Sequence, residues 1–312
     1  MKKVRPVHKL LIALCRTSFT EEDAVKIKKL AAGIDDWERF VWLANEHGIS
    51  ALVYYNFKEL GLTAMVPEKE LSVLYNAYMK SLGRNTILSE KYDELEKLLG
   101  ETGIRPVLIK GMALERTVYG NRGLRQMNDV DFLVPRKRCM EAWEYLLTRG
   151  YEPHIIKSAR YKEILPWIGK HMPELYKDGI SFEMHHSLFE GQETQEGAGH
   201  PDPDGMQFGL FEGSGMTQRL QEGAGHGILA PRLHFLFLVK HLHYHEMVQG
   251  ESQLRLYTDL LMMLKKYGAE LLKVELYRMA EELGMGDMLE EKLFLLERFF
   301  IDPEGTEADG DS

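Results

Sequence analysis

Apolar residues recur at helical spacing through residues 37–57 and again through 70–99, with polar residues on the remaining faces. The run Thr20-Glu21-Glu22-Asp23 supplies a hydroxyl for a helix cap and acids for a first turn. Together these features predict a helical region over residues 1–103, punctuated at its end by Gly100 and Gly103. The pattern then shortens. Arg105 to Lys110 is an apolar run of strand length that Gly111 breaks, and residues 112–120 read as a helix. After a polar loop, Asp129 to Val134 alternates and is stopped by Pro135, which predicts a strand. Residues 136–149 form an amphipathic helix ending at Gly150, and Tyr151 to about Lys157 reads as a short strand. Ile180 to Leu188 alternates for longer and predicts another strand. Strands interleaved with helices over residues 104–190 predict an α+β core, a small mixed sheet with flanking helices.

Residues 191–230 break the periodicity. They are rich in glycine, and the hexamer QEGAGH occurs twice, from Gln195 and from Gln221. One duplicated hexamer does not make a repeat architecture, so this stretch reads as an insert or long loop with at most one hairpin. Helical spacing resumes over residues 231–300, and residues 301–312 form an acidic tail with the composition of a disordered segment.

Composition narrows the partners. The chain has 312 residues, 44% of them hydrophobic and 28% charged, which is ordinary globular usage. The net charge is −9 and there is no long run of Lys or Arg, so nucleic acid is a poor candidate partner. Arg136, Lys137 and Arg138 form the longest basic cluster and read as a solvated helix face. Two cysteines, Cys15 and Cys139, cannot build a disulfide framework. The apolar run from Leu10 to Cys15 is short for a signal peptide, and no run approaches the roughly 18 residues a membrane span needs. A cytoplasmic protein with no membrane partner is expected.

The alternating strand carries the first candidate chemistry. Asp129 and Asp131 are two apart, so a strand points both carboxylates to one face while Val130 and Phe132 point to the other. Two carboxylates held this way repel unless a cation joins them, which suits Mg²⁺. A pair of exposed strand acids is the competing reading. Upstream, Lys110-Gly111 stands at a strand-to-helix turn, where backbone can approach a phosphate closely and an ammonium can add charge. Downstream, Glu183 and His185 share one face of the strand from Ile180, opposite Phe182 and Met184. His241, His243 and His245 invite a zinc reading, but position 242 is Leu where the helical zinc-protease motif has Glu. The alternatives are that His241 or His245 lines a nucleotide or acceptor cleft beside Arg255 and Asp259, or that these are polar residues on a seam between helices.

These elements together resemble the polymerase-β-like nucleotidyltransferases, which combine a Gly-containing strand–helix turn, an acid–apolar–acid strand and a third acid on a neighbouring strand. More closely, LIKGMALERTVYG at 108–120, Arg125 with NDVDFLV at 128–134, and FEMHHSL at 182–188 look like a family of uncharacterised bacterial nucleotidyltransferases within that superfamily. Its members typically carry a helical N-terminal part and a C-terminal helical region with His and Asp, and residues 241–260 look like that region. The resemblance extends over about residues 20–300. Most of the superfamily has Gly-Ser or Gly-Gly in the turn. Here Lys110-Gly111-Met112 lacks the serine, leaving Lys110 to substitute.

The resemblance implies an α+β nucleotidyltransferase fold and a two-metal reaction. Asp129, Asp131 and Glu183 would be the catalytic and metal-binding acids, holding Mg²⁺ (or Mn²⁺) against a nucleoside triphosphate. Lys110, Gly111, Arg125 and His185 would contact the nucleotide, with Arg122 a weaker candidate. An NMP group would pass to a hydroxyl of a small molecule or protein, expelling pyrophosphate. The competing function is a non-catalytic nucleotide- or partner-binding protein on the same fold, against which the intact acids argue. A phosphatase using a D-x-D nucleophile fits less well, because Leu133 stands where Thr or Val is wanted.

Overall fold

The computed structural model describes residues 5–154, 169–189, 217–219, 227–250 and 253–301. The chain divides into two compact units. One comprises residues 1–83, 115–126 and 238–312, and the other residues 84–114 and 127–237. The class is mixed α+β.

The first unit is helical. It contains α1 (Pro6–Ala13), α2 (Glu21–Ala32), α3 (Trp37–Glu46), α4 (Ser50–Glu59) and the first part of α5 (Glu68–Glu101). Thr20 caps α2 in a reciprocal box: the Asp23 amide donates to Thr20 Oγ1 at 3.1 Å, and the Thr20 amide donates to Asp23 Oδ2 at 2.9 Å. Asp36 caps α3 through the Arg39 amide. Gly48, at φ +67°, makes the left-handed turn between α3 and α4 that a side chain would strain. Buried Asn56 donates to the carbonyls of Leu14 and Arg16, satisfying the backbone where α1 ends.

The second unit holds the sheet and the rest of α5. Its further elements are β1 (Val107–Leu108), α6 (Lys110–Leu114), β2 (Asp129–Leu133), α7 (Cys139–Thr148), β3 (Glu152–Pro153), β4 (Leu175–Lys177), β5 (Ile180–His185), β6 (Thr217–Arg219) and β7 (Gly227–Leu229). The seven strands run β3-β4-β5-β2-β1-β7-β6. β2 and β5 are parallel, as are β1 and β7; the other neighbours are antiparallel. Alternation sends Val130, Phe132, Phe182 and Met184 into a core shared with Tyr92, Leu95 and Leu99 of α5 and with Trp143 and Leu146 of α7. Trp143 Nε1 donates to the Pro173 carbonyl at 3.1 Å, so the indole is buried without an orphaned donor.

Several elements are shorter than their sequence pattern. The run from Arg105 yields a two-residue strand, because Pro106 has no amide to donate and Lys110 already starts a helix. The helix read over 112–120 is one α-turn, Lys110–Leu114, followed by a π-turn, Glu115–Tyr119. Strand β5 ends at His185, where the His186 amide turns to the Lys170 carbonyl. Of the strand read over 151–157, residues 152–153 form β3, and residues 155–157 lie outside the described ones, as do most of the Gly-rich stretch and the tail from 302. Within that stretch, β6 and β7 pair antiparallel, and β7 joins the sheet edge at β1.

The helical segments continue with α8 (Pro231–Tyr244), α9 (Leu254–Tyr267), α10 (Val274–Glu282) and α11 (Gly286–Leu296). Among the described residues, no helix is long and apolar enough to cross a membrane.

Candidate active site

The β2–β5 ladder sets the site. Its parallel register opposes Asp129 to Ser181, Asp131 to Glu183 and Leu133 to His185. Because successive strand residues alternate faces, Asp131, Glu183 and His185 emerge on the side away from Val130, Phe182 and Met184. Their atoms converge. His185 Nε2 lies 3.2 Å from Asp131 Oδ1 and 2.9 Å from Glu183 Oε2. Asp131 is 6% exposed and His185 1%.

Lys110 completes the cluster. It follows β1, and the Ile109 amide donates to the Asp131 carbonyl at 3.2 Å, which anchors the backbone just before it to β2. Lys110 has φ +50°, a left-handed conformation uncommon for a side-chain-bearing residue. Its Nζ donates to Asp131 Oδ1 at 2.5 Å and to Glu183 Oε2 at 2.9 Å, and lies 3.4 Å from His185 Nε2. Gly111 follows it, buried at the start of α6.

Charge and burial act in opposition here. Burial alone would raise the Glu183 pKa. The hydrogen bond from His185 and the charges of Lys110 and His185 outweigh it, and the carboxyl titrates far below the usual range. Burial alone would lower the Lys110 pKa, but the charges of Asp131 and Glu183 and their hydrogen bonds reverse that and hold the ammonium above its ordinary value.

Asp131, Glu183 and His185 each offer one donor atom, all within 4.8 Å of one another, the one such metal-capable group among the described residues. The fit to a cation has a direct sign: two of these atoms, Asp131 Oδ1 and Glu183 Oε2, already accept from one positive charge, the Lys110 ammonium. Two carboxylate oxygens and an imidazole nitrogen suit Mn²⁺ as well as Mg²⁺. Asp129 sits at the exposed start of β2, on the same strand face as Asp131 but outside that group.

A profile of the uncharacterised nucleotidyltransferase family matches residues 34–301. The chain belongs to this family, and it is a nucleotidyltransferase. No curated protein matches it. Among solved structures, the crystal structure of ANT(2")-Ia in complex with adenylyl-2"-tobramycin is similar at 12% identity, over 59% of this chain and 91% of that one, with a TM-score of 0.38.

The nucleotidyltransferase places Arg125 in its helical unit. Arg125 Nη2 and Nε donate to the two oxygens of Asp259 at 2.8 and 3.3 Å, and Nη1 donates to the Gln126 carbonyl. Tyr119 Oη also donates to Asp259, at 2.8 Å. Arg122 Nε lies 3.9 Å from Glu115 Oε1. Arg255 donates to the Gln126 carbonyl and to Gln253, and the His241 and His245 rings meet edge-to-face 4.6 Å apart.

Sequence reasoning missed His171. Its Nε2 lies 3.5 Å from Glu183 Oε1, and its ring stands 5.6 Å from that of His185. The segment around it pairs with the end of β5, the Met172 amide donating to the Met184 carbonyl. No periodic pattern surrounds His171, so only the pairing reveals it.

Proposed function

We propose that this nucleotidyltransferase is metal-dependent and moves an NMP group from a nucleoside triphosphate to a hydroxyl of a small molecule or protein. The observation that carries this reading is the convergence of Asp131, Glu183 and His185 on one cation position. Those three side chains would hold Mn²⁺ or Mg²⁺, and Asp129, two residues back on the same face of β2, would extend the acidic edge toward the nucleotide. The cation, when bound, neutralises phosphate charge and favours loss of the acceptor proton. The chain's own part is positioning. Two strands fix the carboxylates with little freedom to relax, so their charges need no reorganisation as the reaction proceeds. The Lys110-Gly111 turn, beside the cluster, would face the triphosphate. In the reaction, a bond forms from the acceptor oxygen to the α-phosphorus and the bond to the leaving pyrophosphate breaks. The acceptor's proton leaves to solvent or a neighbouring base.

The test is incubation of the protein with Mg²⁺ or Mn²⁺ and each α-labelled NTP in the presence of host lysate. Covalent transfer of label to an acceptor, lost on chelation, is the expected outcome. Nucleotide binding with no transfer under any condition would instead favour a non-catalytic nucleotide-binding role.

A further inference from the structure

Two of the three atoms that would hold a divalent cation, Asp131 Oδ1 and Glu183 Oε2, are the atoms that accept from Lys110. Asp131 Oδ1, Glu183 Oε2 and His185 Nε2 stand 2.5, 2.9 and 3.4 Å from the Lys110 ammonium. A metal ion would take oxygen ligands at about 2.0–2.2 Å, so ion and ammonium cannot occupy this position together. We propose that Lys110 is a built-in counter-ion of the metal site: its ammonium and the divalent cation compete for Asp131 and Glu183, and the displaced ammonium turns to the polyphosphate. This rests on the metal-dependent reading of the site.

Charge explains why such a device is useful. Asp131 and Glu183 are register partners with side chains only 7% and 19% exposed. Two carboxylates this close and this shielded repel unless a cation lies between them. Lys110 supplies one from within the chain, so the strands keep the productive geometry before any ligand arrives. The same contact raises a barrier to metal binding alone, because the ion must displace an ammonium that two carboxylates hold. A nucleotide triphosphate offers the displaced ammonium new anionic partners, which makes metal and nucleotide bind together more readily than either alone. Lysine suits the exchange. Its charge is compact and rides on a flexible four-carbon stem, whereas a planar guanidinium would be fixed to one fork of acceptors.

The discriminating measurement is affinity for Mn²⁺ alone, with no nucleotide, read by electron paramagnetic resonance on the full chain. Lys110→Met should bind Mn²⁺ at least about tenfold more tightly than wild type, because a competing charge has gone. Lys110→Arg should stay as weak as wild type. Equal or weaker binding by a natively folded Lys110→Met overturns the proposal. Asp131→Asn separates the two levels. If it leaves Mn²⁺ affinity unchanged, the metal reading of this site falls and the counter-ion with it. If it abolishes binding while Lys110→Met fails to tighten it, the metal site stands and the counter-ion falls. Should Lys110→Met not fold, the wild-type chain still decides. Acetylation of Lys110, followed by mass spectrometry against the exposed lysines, should be slow in chelator and accelerate with saturating Mn²⁺; unchanged protection overturns the proposal.

Discussion

Asp131 and Glu183 are register partners on adjacent parallel strands, and their carboxylates share one ammonium. The sharing makes their contributions to activity and to stability separable. In Asp131→Asn, Glu183 still partners Lys110, so the fold should persist. The site would lose one of two anionic ligands, a charged contact worth on the order of 3 kcal/mol, and transfer should fall by at least about a hundredfold. Rates at or near wild type, with an unchanged circular dichroism spectrum, would remove Asp131 from the chemistry.

His185 gives the cluster its one nitrogen donor. Imidazole nitrogen favours later first-row ions over Mg²⁺, which prefers oxygen. The wild-type protein should therefore bind Mn²⁺ more tightly than Mg²⁺, and His185→Ala should narrow that ratio more than it weakens Mg²⁺ binding. An unchanged Mn²⁺-to-Mg²⁺ ratio in the variant would show that His185 is no ligand.

The titration of Glu183 has a definite sign. Its folded-state pKa is depressed, so its stabilising contribution is complete above the unfolded value of about 4.3 and is lost as pH falls toward the folded value. Lys110, with a raised folded-state pKa, contributes fully below about 10.4 and loses its contribution as pH climbs beyond. Glu183→Gln should thus be less stable than wild type at neutral pH, with the gap in urea midpoint closing in acid. A gap that widens as pH falls would contradict the ion-pair assignment.

Much of the site was legible because strand geometry has a period of two. Asp131 beside Val130 and Phe132, and Glu183 beside Phe182 and Met184, announce their faces without any knowledge of the fold. What joins them was not legible. The pairing of β2 with β5 spans 52 residues, from Asp131 to Glu183, and alternation does not say which strands are neighbours. Lys110 reads as a phosphate contact because its turn is local and visible in sequence, while its bond to two distant acids is tertiary. The same holds for α5. Its apolar stripe predicts a helix correctly, but only packing shows that Leu88, Tyr92, Leu95 and Leu99 belong to the core of the sheet. β7 left no alternating signature at all, since its pairing with β1 needs little more than Gly227 and two apolar residues.

Cys15 and Cys139 are both fully buried. Burial pushes the Cys15 thiol up to about 12 and the Cys139 thiol up to about 11. Thiolate is the reactive form, so neither should react with Ellman's reagent in the native protein. Two thiols should appear on unfolding in guanidinium. Rapid native labelling of either would mean that its surroundings open readily.

Arg125 and Asp259 form a buried ion pair in the helical unit, with side chains 8% and 1% exposed. Tyr119 donates to the same carboxylate, so Asp259 is well satisfied and Arg125 is held in a fork. Removing one partner strands the other as an uncompensated buried charge, whereas removing both leaves no buried charge, only packing and the Tyr119 hydroxyl to repair. Asp259→Leu alone should cost about 3–5 kcal/mol of stability. Arg125→Met combined with Asp259→Leu should recover most of that loss, because Met and Leu approximate the volumes without the charge. Urea midpoints of the two single variants and the double variant form the complete cycle. If the double variant is as unstable as the sum of the singles, the pair is not coupled, and Arg125 and Asp259 make their contributions to partners other than each other.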